Sequence, residues 1–533
     1  MFDRPTFLPD FCLLSVASLR RFWTETCGTL VVWFLFMVVG ILMAVGLGID
    51  TFRTEGVRLQ LQHTVDRAIL AAADLDQERD PEEVVRDYVE RAGLPRDAVQ
   101  VRASETSGQK TVEAQIVGNV DTILTDLIGL DSMVAPAYGS ATDALVEVDI
   151  SLILDNSGSM GWNNNRRLNL LKPAAKDFVD AVIKPGPGGV SPVSISLVPF
   201  ATQVNAGPVL GGALNLTDEH TYSHCAEFAP SSYSDEAIDP ALSLQRAGHF
   251  DRSTFNAPVT TFGVVCPFDA SRHILPWSQD TDALKAQIDS MWAGGNTSID
   301  IATKWGAALL DPAFQPVLSE LAVQGDVNAN LIGRPYAYGG GGQRQKVLVV
   351  MSDGENTQQW RLNDAYASGP SPVYKEPGTG IVSYFDADRG QYFVFDNAAI
   401  TSSSTGTWQD APAGGDEAAQ MTWPEVWNAW SVRRFARDIK QKAIGGDWGS
   451  YANAVYSTQG ASAKRTRTRE ICAAARARGV IIYSIGMDTY GEGDAVLSAC
   501  AGDSLRFFDV EAKDIGAAFS SIARQINQLR LTN

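Results

Sequence analysis

An α/β domain is predicted by three stretches of this chain. In 149–160, DISLILDNSGSM, an apolar run ends abruptly in Asp155, Ser157 and Ser159, and helical periodicity follows from Leu168. In 346–355, KVLVVMSDGE, a second apolar run ends in Asp353. In 480–486, VIIYSIG, a third run follows a helical segment at 465–478. Short apolar runs bounded by turn residues and separated by helical patterns are buried strands of an α/β sheet. In open sheets of this class, ligands gather at the carboxyl ends of the strands.

The end of the first strand carries chemistry. One carboxylate and two hydroxyls alternate across a tight turn at Gly158, so three oxygens can converge on one point. Oxygen donors alone suit a hard cation such as Mg²⁺ rather than zinc. An Asx or Ser turn capping the next helix accounts equally well for these residues taken alone. Two later stretches add weight to the cation: 294–300, GGNTSID, opens another helical pattern, and Asp353 ends the second strand. Together the three resemble the metal-ion-dependent adhesion site of von Willebrand factor A domains. That resemblance implies a doubly wound, mostly parallel, Rossmann-like sheet. It also implies a metal site made of Asp155, Ser157 and Ser159 from the first loop, Thr297 from the second and Asp353 from the third. The ion expected there is Mg²⁺, or alternatively Mn²⁺ or Ca²⁺, with one coordination position left for an incoming ligand.

At 533 residues the chain exceeds one ordinary core, so two or more folded units are expected. Hydrophobic residues make up 45% and charged residues 20%, a globular balance. The formal net charge of -19 argues against a nucleic-acid partner, because phosphate binding needs a basic face. Six cysteines occur without a CxxC pair, which argues against a zinc ribbon.

Along the chain, 1–28 is expected to be a cytoplasmic N-terminus. The charge-free run at 29–48, TLVVWFLFMVVGILMAVGLG, is long enough at about 1.5 Å per residue to span a bilayer core of roughly 30 Å. It reads as an uncleaved, single-pass transmembrane helix. Flanking arginines nearly tie, Arg20 and Arg21 before it against Arg53 and Arg58 after it, so charge does not set the orientation. A membrane-proximal helix follows over 49–78, with Val57, Leu61, Val65 and Ile69 at four-residue spacing; it is either a solvated stalk or a packing helix. Residues 79–145 read as a small α+β domain: a helix from Pro81, then alternating strands at 98–103 and 110–117 around Ser107-Gly108.

The A domain is expected over 146–533, interrupted by insertions at 205–276 and 360–449. Its first helix is placed at 168–183, its second strand at 193–200, a helix under Thr297 at 300–310, a short final strand at 506–509 and an amphipathic helix at 513–529. The first insertion holds Cys225, Cys266 and four of the five histidines. The second holds Trp408, Trp423, Trp427 and Trp430, either a local hydrophobic cluster or a recognition surface beside the metal. The basic run 464–469, KRTRTR, reads as a solvated helix start. Cys225 and Cys266 share one insertion, and Cys472 and Cys500 flank one strand and its loop. Two disulfides, Cys225–Cys266 and Cys472–Cys500, are therefore expected, and with them an oxidising compartment for everything after Gly48.

The whole arrangement narrows the resemblance. An N-terminal anchor runs into Ile49-Asp50 and a helix ending in Ala73-Asp74. Near the C-terminus, Cys472 precedes GVIIYSIG, with Ser498-Ala-Cys500-Ala, Phe507-Phe508-Asp509 and a final INQLR helix beyond it. This is similar to the TadG-type proteins of bacterial tight-adherence (Flp) pilus assembly. The resemblance covers most of the chain except the insertions. It implies a bacterial inner-membrane protein, N-terminus cytoplasmic and bulk periplasmic, that builds or tethers a pilus. Gly28 is followed five residues later by Trp33, where pseudopilins of that system carry Glu, so prepilin processing and entry into the fibre are not implied.

Other chemistry finds less support. The glycine run at 339–342 lacks the Gly-Lys-Ser/Thr of a phosphate loop, and no G-x-S-x-G elbow occurs. His220, His224 and Cys225 with His249 or Cys266 offer zinc donors, but at a spacing that loops produce by chance. No histidine or general base accompanies Asp155 and Asp353, which disfavours a metallohydrolase. The expected function is a non-enzymatic, metal-dependent binding module of pilus assembly. Its partner, an assembly protein or a second copy, would offer an acidic side chain to the metal. A surface-exposed adhesin of the same fold is the alternative.

Overall fold

The computed structural model describes residues 28–531 apart from 75–76, 78, 107–108, 145, 186–189 and 340–342. The expected cytoplasmic segment before Gly28, the Ser107-Gly108 turn and most of the 339–342 run lie outside the described residues. The chain divides into two units, Met1–Ala144 and Leu145–Asn533.

The first unit is built on one helix, α1 (Thr29–Ala73), 45 residues without a break. It is the one helix among the described residues long and apolar enough to cross a membrane. Its first half exposes nearly all of its large apolar side chains. Its second half buries Leu61, Val65, Ala68, Ile69 and Ala72 against an antiparallel sheet of β1 (Val99–Thr106), β2 (Gln109–Asp121) and β3 (Ser132–Ala144). Of the two readings of the membrane-proximal helix, packing is therefore the one observed. The approach is close enough to require glycine: a Cβ at Gly139 would lie 2.6 Å from Ile69 Cδ1. Helix α2 (Pro81–Arg91) is capped by the Asp80 carboxylate, which accepts from Glu82 N, and adds Val84, Val85 and Val89 to the same core. Asp50, buried on α1, accepts hydrogen bonds from the backbone N–H groups of Thr125, Ile123 and Leu124 and from Thr125 Oγ1. These donors, Thr125 foremost, hold its carboxyl well below the usual carboxylate range.

The second unit is a mixed α/β fold. Its sheet comprises β4 (Glu147–Asp155), β5 (Val193–Phe200), β6 (Leu275–Ser278), β7 (Arg344–Ser352), β8 (Ile481–Met487) and β9 (Phe507–Val510). The order is β9-β8-β7-β4-β5-β6, parallel except for β6, which runs antiparallel to β5. Side chains alternate between two cores, as the period of two in a strand requires. Leu152 and Leu154 face one core with Phe178 of α3 (Trp162–Val182), Leu284 of α4 (Thr281–Ser290) and Phe519 of α8 (Ile515–Leu531). Ile153 faces the other, with Trp305 of α5 (Ile299–Ala308), Ile471 of α6 (Ala461–Ala477) and Leu497 of α7 (Glu492–Ala501). From β4 the chain first builds outward through β5 and β6, then crosses to β7 and builds the opposite way. Such a reversal opens a crevice at the strand ends.

Both insertions leave from that carboxyl edge. The first is mostly irregular and is tied by the disulfide Cys225–Cys266; its end, Leu275–Ser278, supplies edge strand β6. The second is longer than expected. Gln359–Leu362 pairs antiparallel with Tyr456–Gln459, closing a neck around the whole segment. Within it, five antiparallel strands between Pro370 and Thr422 share a separate core with Trp423, Trp427, Trp430 and Phe435. Trp408 is half-buried against Phe393. The tryptophans therefore stabilise a subdomain and do not form an open aromatic surface. A second disulfide, Cys472–Cys500, joins α6 to α7.

Candidate metal centre

Strand register explains why two distant acids meet. Leu154 of β4 pairs with Met351 of β7, so Asp155 stands level with Ser352, one residue before Asp353. Asp155 is fully buried: its Oδ1 accepts from Ser157 N at 2.7 Å and its Oδ2 from Ser352 Oγ at 2.6 Å. Ser157 Oγ lies 3.1 Å from Ser159 Oγ, which donates to Asp353 Oδ1 at 2.7 Å. Four of the five expected ligands thus form one connected cluster. Thr297 lines the same open pocket, with Ser159, Arg167, Asp353, Glu355 and Asp488.

Backbone stitching holds the three loops together. Gly158 N donates to Gly295 O, and Gly294 N donates to Asn156 O. A side chain at Gly158 would press on Gly295 O, with its Cβ at 3.1 Å, so the first and second loops meet across glycines. Thr297 N donates to Thr357 Oγ1, Thr357 N to Thr297 O, and Ile299 N to Asn356 Oδ1, joining the second loop to the third. The step from turn to helix is made by Asn163, Asn164 and Asn165, all left-handed with φ of 52°, 60° and 59°. Asparagine adopts that region more readily than most residues.

Three cationic side chains support the cluster, and the sequence reading assigns none of them to it. Arg167 donates to Asp353 Oδ2 at 2.8 Å and to Asp488 Oδ2 at 3.1 Å. Arg272, stacked on Trp292, donates to Asn156 Oδ1 at 2.6 Å. Lys464 departs most from expectation. It is fully buried rather than solvated, and its Nζ donates to Thr297 O at 2.8 Å, Ser298 Oγ at 2.6 Å and Thr357 O at 2.9 Å. Its register was readable: Lys464, Thr468, Ile471, Cys472 and Ala475 repeat at helical spacing and are all buried.

The donor set suits a hard divalent cation: two carboxylates and three hydroxyls, with no nitrogen or sulfur. Electrostatics agree. Burial, and then the neighbouring Asp353, push Asp155 up to about 7, and burial also raises Asp353 despite Ser159 and Arg167. Without a bound cation, Asp155 therefore favours folding at low pH, and this contribution is lost as pH rises from its ordinary value near 4 through 7. A divalent ion held by Asp155 would have to displace that proton. Affinity for Mg²⁺ should weaken by about tenfold per pH unit below pH 7, with release of about one proton per ion. Calorimetry in buffers of different ionisation enthalpy measures both; a flat affinity between pH 5 and 7 would mean that Asp155 is not protonated in the metal-free site.

The two cysteines of the zinc alternative are taken up by a disulfide. Cys225 and Cys266 are oxidised to each other, and no metal-competent group of three or more His, Cys, Asp or Glu occurs among the described residues. Burial pushes His249 down to about 3 and His220 to about 4, so both are neutral near neutral pH.

Residues 28–75 match the family model described as "Putative Flp pilus-assembly TadE/G-like". The N-terminal segment is TadE/G-like. No curated protein matches the chain. Among solved structures, it is similar to the vWF domain of the type V pili tip protein Mfa5 from Porphyromonas gingivalis: 16% identity, 73% of this chain and 97% of that one, TM-score 0.31. It is also similar to the pilus adhesin SpaC from Lactobacillus rhamnosus GG: 14% identity, 80% and 34% covered, TM-score 0.28. A third is proximal thread matrix protein 1 from the mussel byssus, with a zinc-occupied MIDAS motif: 13% identity, 72% and 47% covered, TM-score 0.26. The chain thus spans about a third of SpaC and under half of the mussel protein.

Proposed function

We propose that this TadE/G-like chain is a membrane-anchored, divalent-ion-dependent protein-binding module serving Flp pilus assembly or tethering. The observation that carries this reading is the open pocket lined by Ser159, Thr297 and Asp353, with Asp155 and Ser157 buried beside it and hydrogen-bonded into the same cluster. In this doubly wound A-domain reading, Asp155, Ser157, Ser159, Thr297 and Asp353 would hold Mg²⁺, Mn²⁺ or Ca²⁺. The ion would supply positive charge for an incoming Asp or Glu carboxylate, which would replace a water that Mg²⁺ commonly retains. That carboxylate comes from a pilus-assembly component or a second copy of the chain. The two insertions, which leave the sheet at the same edge, select which partner fits. The reading is one of binding rather than catalysis.

The TadE/G-like match over 28–75 and the apolar half of α1 support a single-pass anchor in the bacterial inner membrane. Two disulfides in the second unit support a periplasmic location for the bulk, with the N-terminus cytoplasmic. The test is recovery of partner proteins on the full-length protein, with Mg²⁺ and with EDTA, for wild type and Ser157→Ala. Capture is expected only by wild type with Mg²⁺. Capture that survives both EDTA and Asp155→Ala would make the cluster a structural clasp. Recovery of the chain on sheared pili would favour a surface adhesin.

A further inference from the structure

The loop between β2 and β3 sits beside the helix at an informative height. Its residues 122–131, TILTDLIGLD, expose Ile123, Leu124, Ile128 and Leu130, and Leu127 most of all at 84%. Five large apolar side chains in ten residues would be costly to leave in water. The loop is not loose. Asp50 binds three successive backbone N–H groups, from Ile123 to Thr125, and the Arg53 guanidinium reaches Asp121 O at 3.4 Å. Leu124 packs on Gly46 so closely that a Cβ there would lie 2.9 Å from Leu124 Cβ.

Gly46 belongs to the apolar run that ends at Gly48. At about 1.5 Å per residue, it lies roughly 3 Å inside that run's end. A loop seated on Gly46 is therefore level with the edge of the hydrocarbon core, not with the aqueous domain. The helix surface beside it exposes Leu42, Val45, Leu47 and Ile49, so loop and helix form one continuous apolar surface. We propose that 122–131 is an interfacial wedge that seats Leu124, Leu127, Ile128 and Leu130 in the acyl boundary of the bilayer, beside the chain's own anchor. The occupant is lipid because the surface continues a membrane-spanning helix. The lipid need not be anionic: the loop carries Asp126 and Asp131 and no Lys or Arg. Membrane attachment is then two-point, helix plus wedge, and the small domain is held against the membrane rather than tilting on a stalk. Arg53 stands at headgroup height, where a long cationic side chain can reach water.

This inference rests on the anchor reading above, and its test separates the two. Full-length protein, with Cys12→Ser and Cys27→Ser, is reconstituted in neutral phosphatidylcholine vesicles and spin-labelled at one position at a time. The positions are Leu127→Cys in the loop, Ile41→Cys in the apolar run and Ser104→Cys on exposed β1. Relaxation by oxygen, which concentrates in lipid, is compared with relaxation by a water-soluble nickel chelate. Labels at 127 and 41 should be several times more accessible to oxygen than to nickel, and 104 the reverse. Leu127→Glu with Ile128→Glu should move labels on neighbouring loop residues toward water. If 127 behaves as 104 while 41 stays in lipid, the wedge is wrong and the anchor stands. If 41 is also in water, the anchor reading has failed and takes the wedge with it. Dipolar broadening between labels at 127 would assign the surface to a second copy and overturn the lipid proposal.

Discussion

Asp155→Ala should abolish divalent-ion binding and leave the metal-free protein folded. Loss of the carboxylate removes the most buried ligand and the one around which the first loop is wound. It also leaves Ser157 N without this acceptor and Ser352 Oγ with only the longer bond to Gly354 O at 3.3 Å, at a cost of about 1 kcal/mol for each hydrogen bond lost. Against that loss stands relief: in the absence of a cation the two acids repel, and burial already drives Asp155 toward its protonated form. These opposed effects should leave the melting temperature of the metal-free variant close to wild type. The difference appears on adding Mg²⁺. Wild type gains stability as RT ln(1 + [L]/Kd), about 2.7 kcal/mol at a hundredfold excess over Kd, and the variant gains none. Calorimetric titration and melting curves with and without Mg²⁺ measure both quantities. Unchanged Mg²⁺ affinity in Asp155→Ala would remove this cluster as the binding site.

Much of this centre was legible because its residues sit where strands end. An unbroken apolar run closed by an acid is hard to read in any other way, and β4 and β7 are runs of that kind. The elements that escaped detection carry weaker signals. Strand β3 buries Ala135 and Ala137 and contains Pro136 and Gly139; its residues are small because α1 lies directly on them, and small residues give little hydrophobic pattern. Edge strand β6 has four residues and contains Pro276. The neck of the second insertion pairs Trp360 with Thr458, a contact between residues about a hundred positions apart that no local pattern announces. The basic stretch at 464–469 misled for a different reason. Composition suggested a solvated face, whereas the helical register placed Lys464 on the buried one, and register was the better guide.

Lys464→Met should strongly destabilise the second unit. Asp300 is buried, and no side chain donates a hydrogen bond to either carboxylate oxygen. Its nearest cations are Lys464 Nζ at 3.9 Å and Arg467 at 3.8 Å. Burial opposes the charged form on both sides, raising Asp300 and lowering Lys464 to about 8, and the opposite charges, Lys464 and then Arg467 for the acid and Asp300 for the lysine, offset part of that penalty. Removing one partner of such a pair typically costs about 3–5 kcal/mol, because the remaining charge is stranded. Lys464 also binds the carbonyls of Thr297 and Thr357, the backbone junction between the second and third loops. Two effects are therefore expected, a fall in stability and a weakening of Mg²⁺ binding, and a second substitution separates them. Lys464→Met with Asp300→Leu removes both charges and should recover most of the stability, since apolar replacement of a buried pair is often neutral. It should not recover Mg²⁺ affinity, because Thr297 and Thr357 remain without their common donor. Denaturant unfolding reports the first quantity and calorimetry the second. If Lys464→Met alone is as stable as wild type, Asp300 is protonated in the native protein and the lysine is not its counter-ion. If the double variant binds Mg²⁺ as wild type does, the loops hold their geometry without the lysine, and its place beneath the site is one of packing alone.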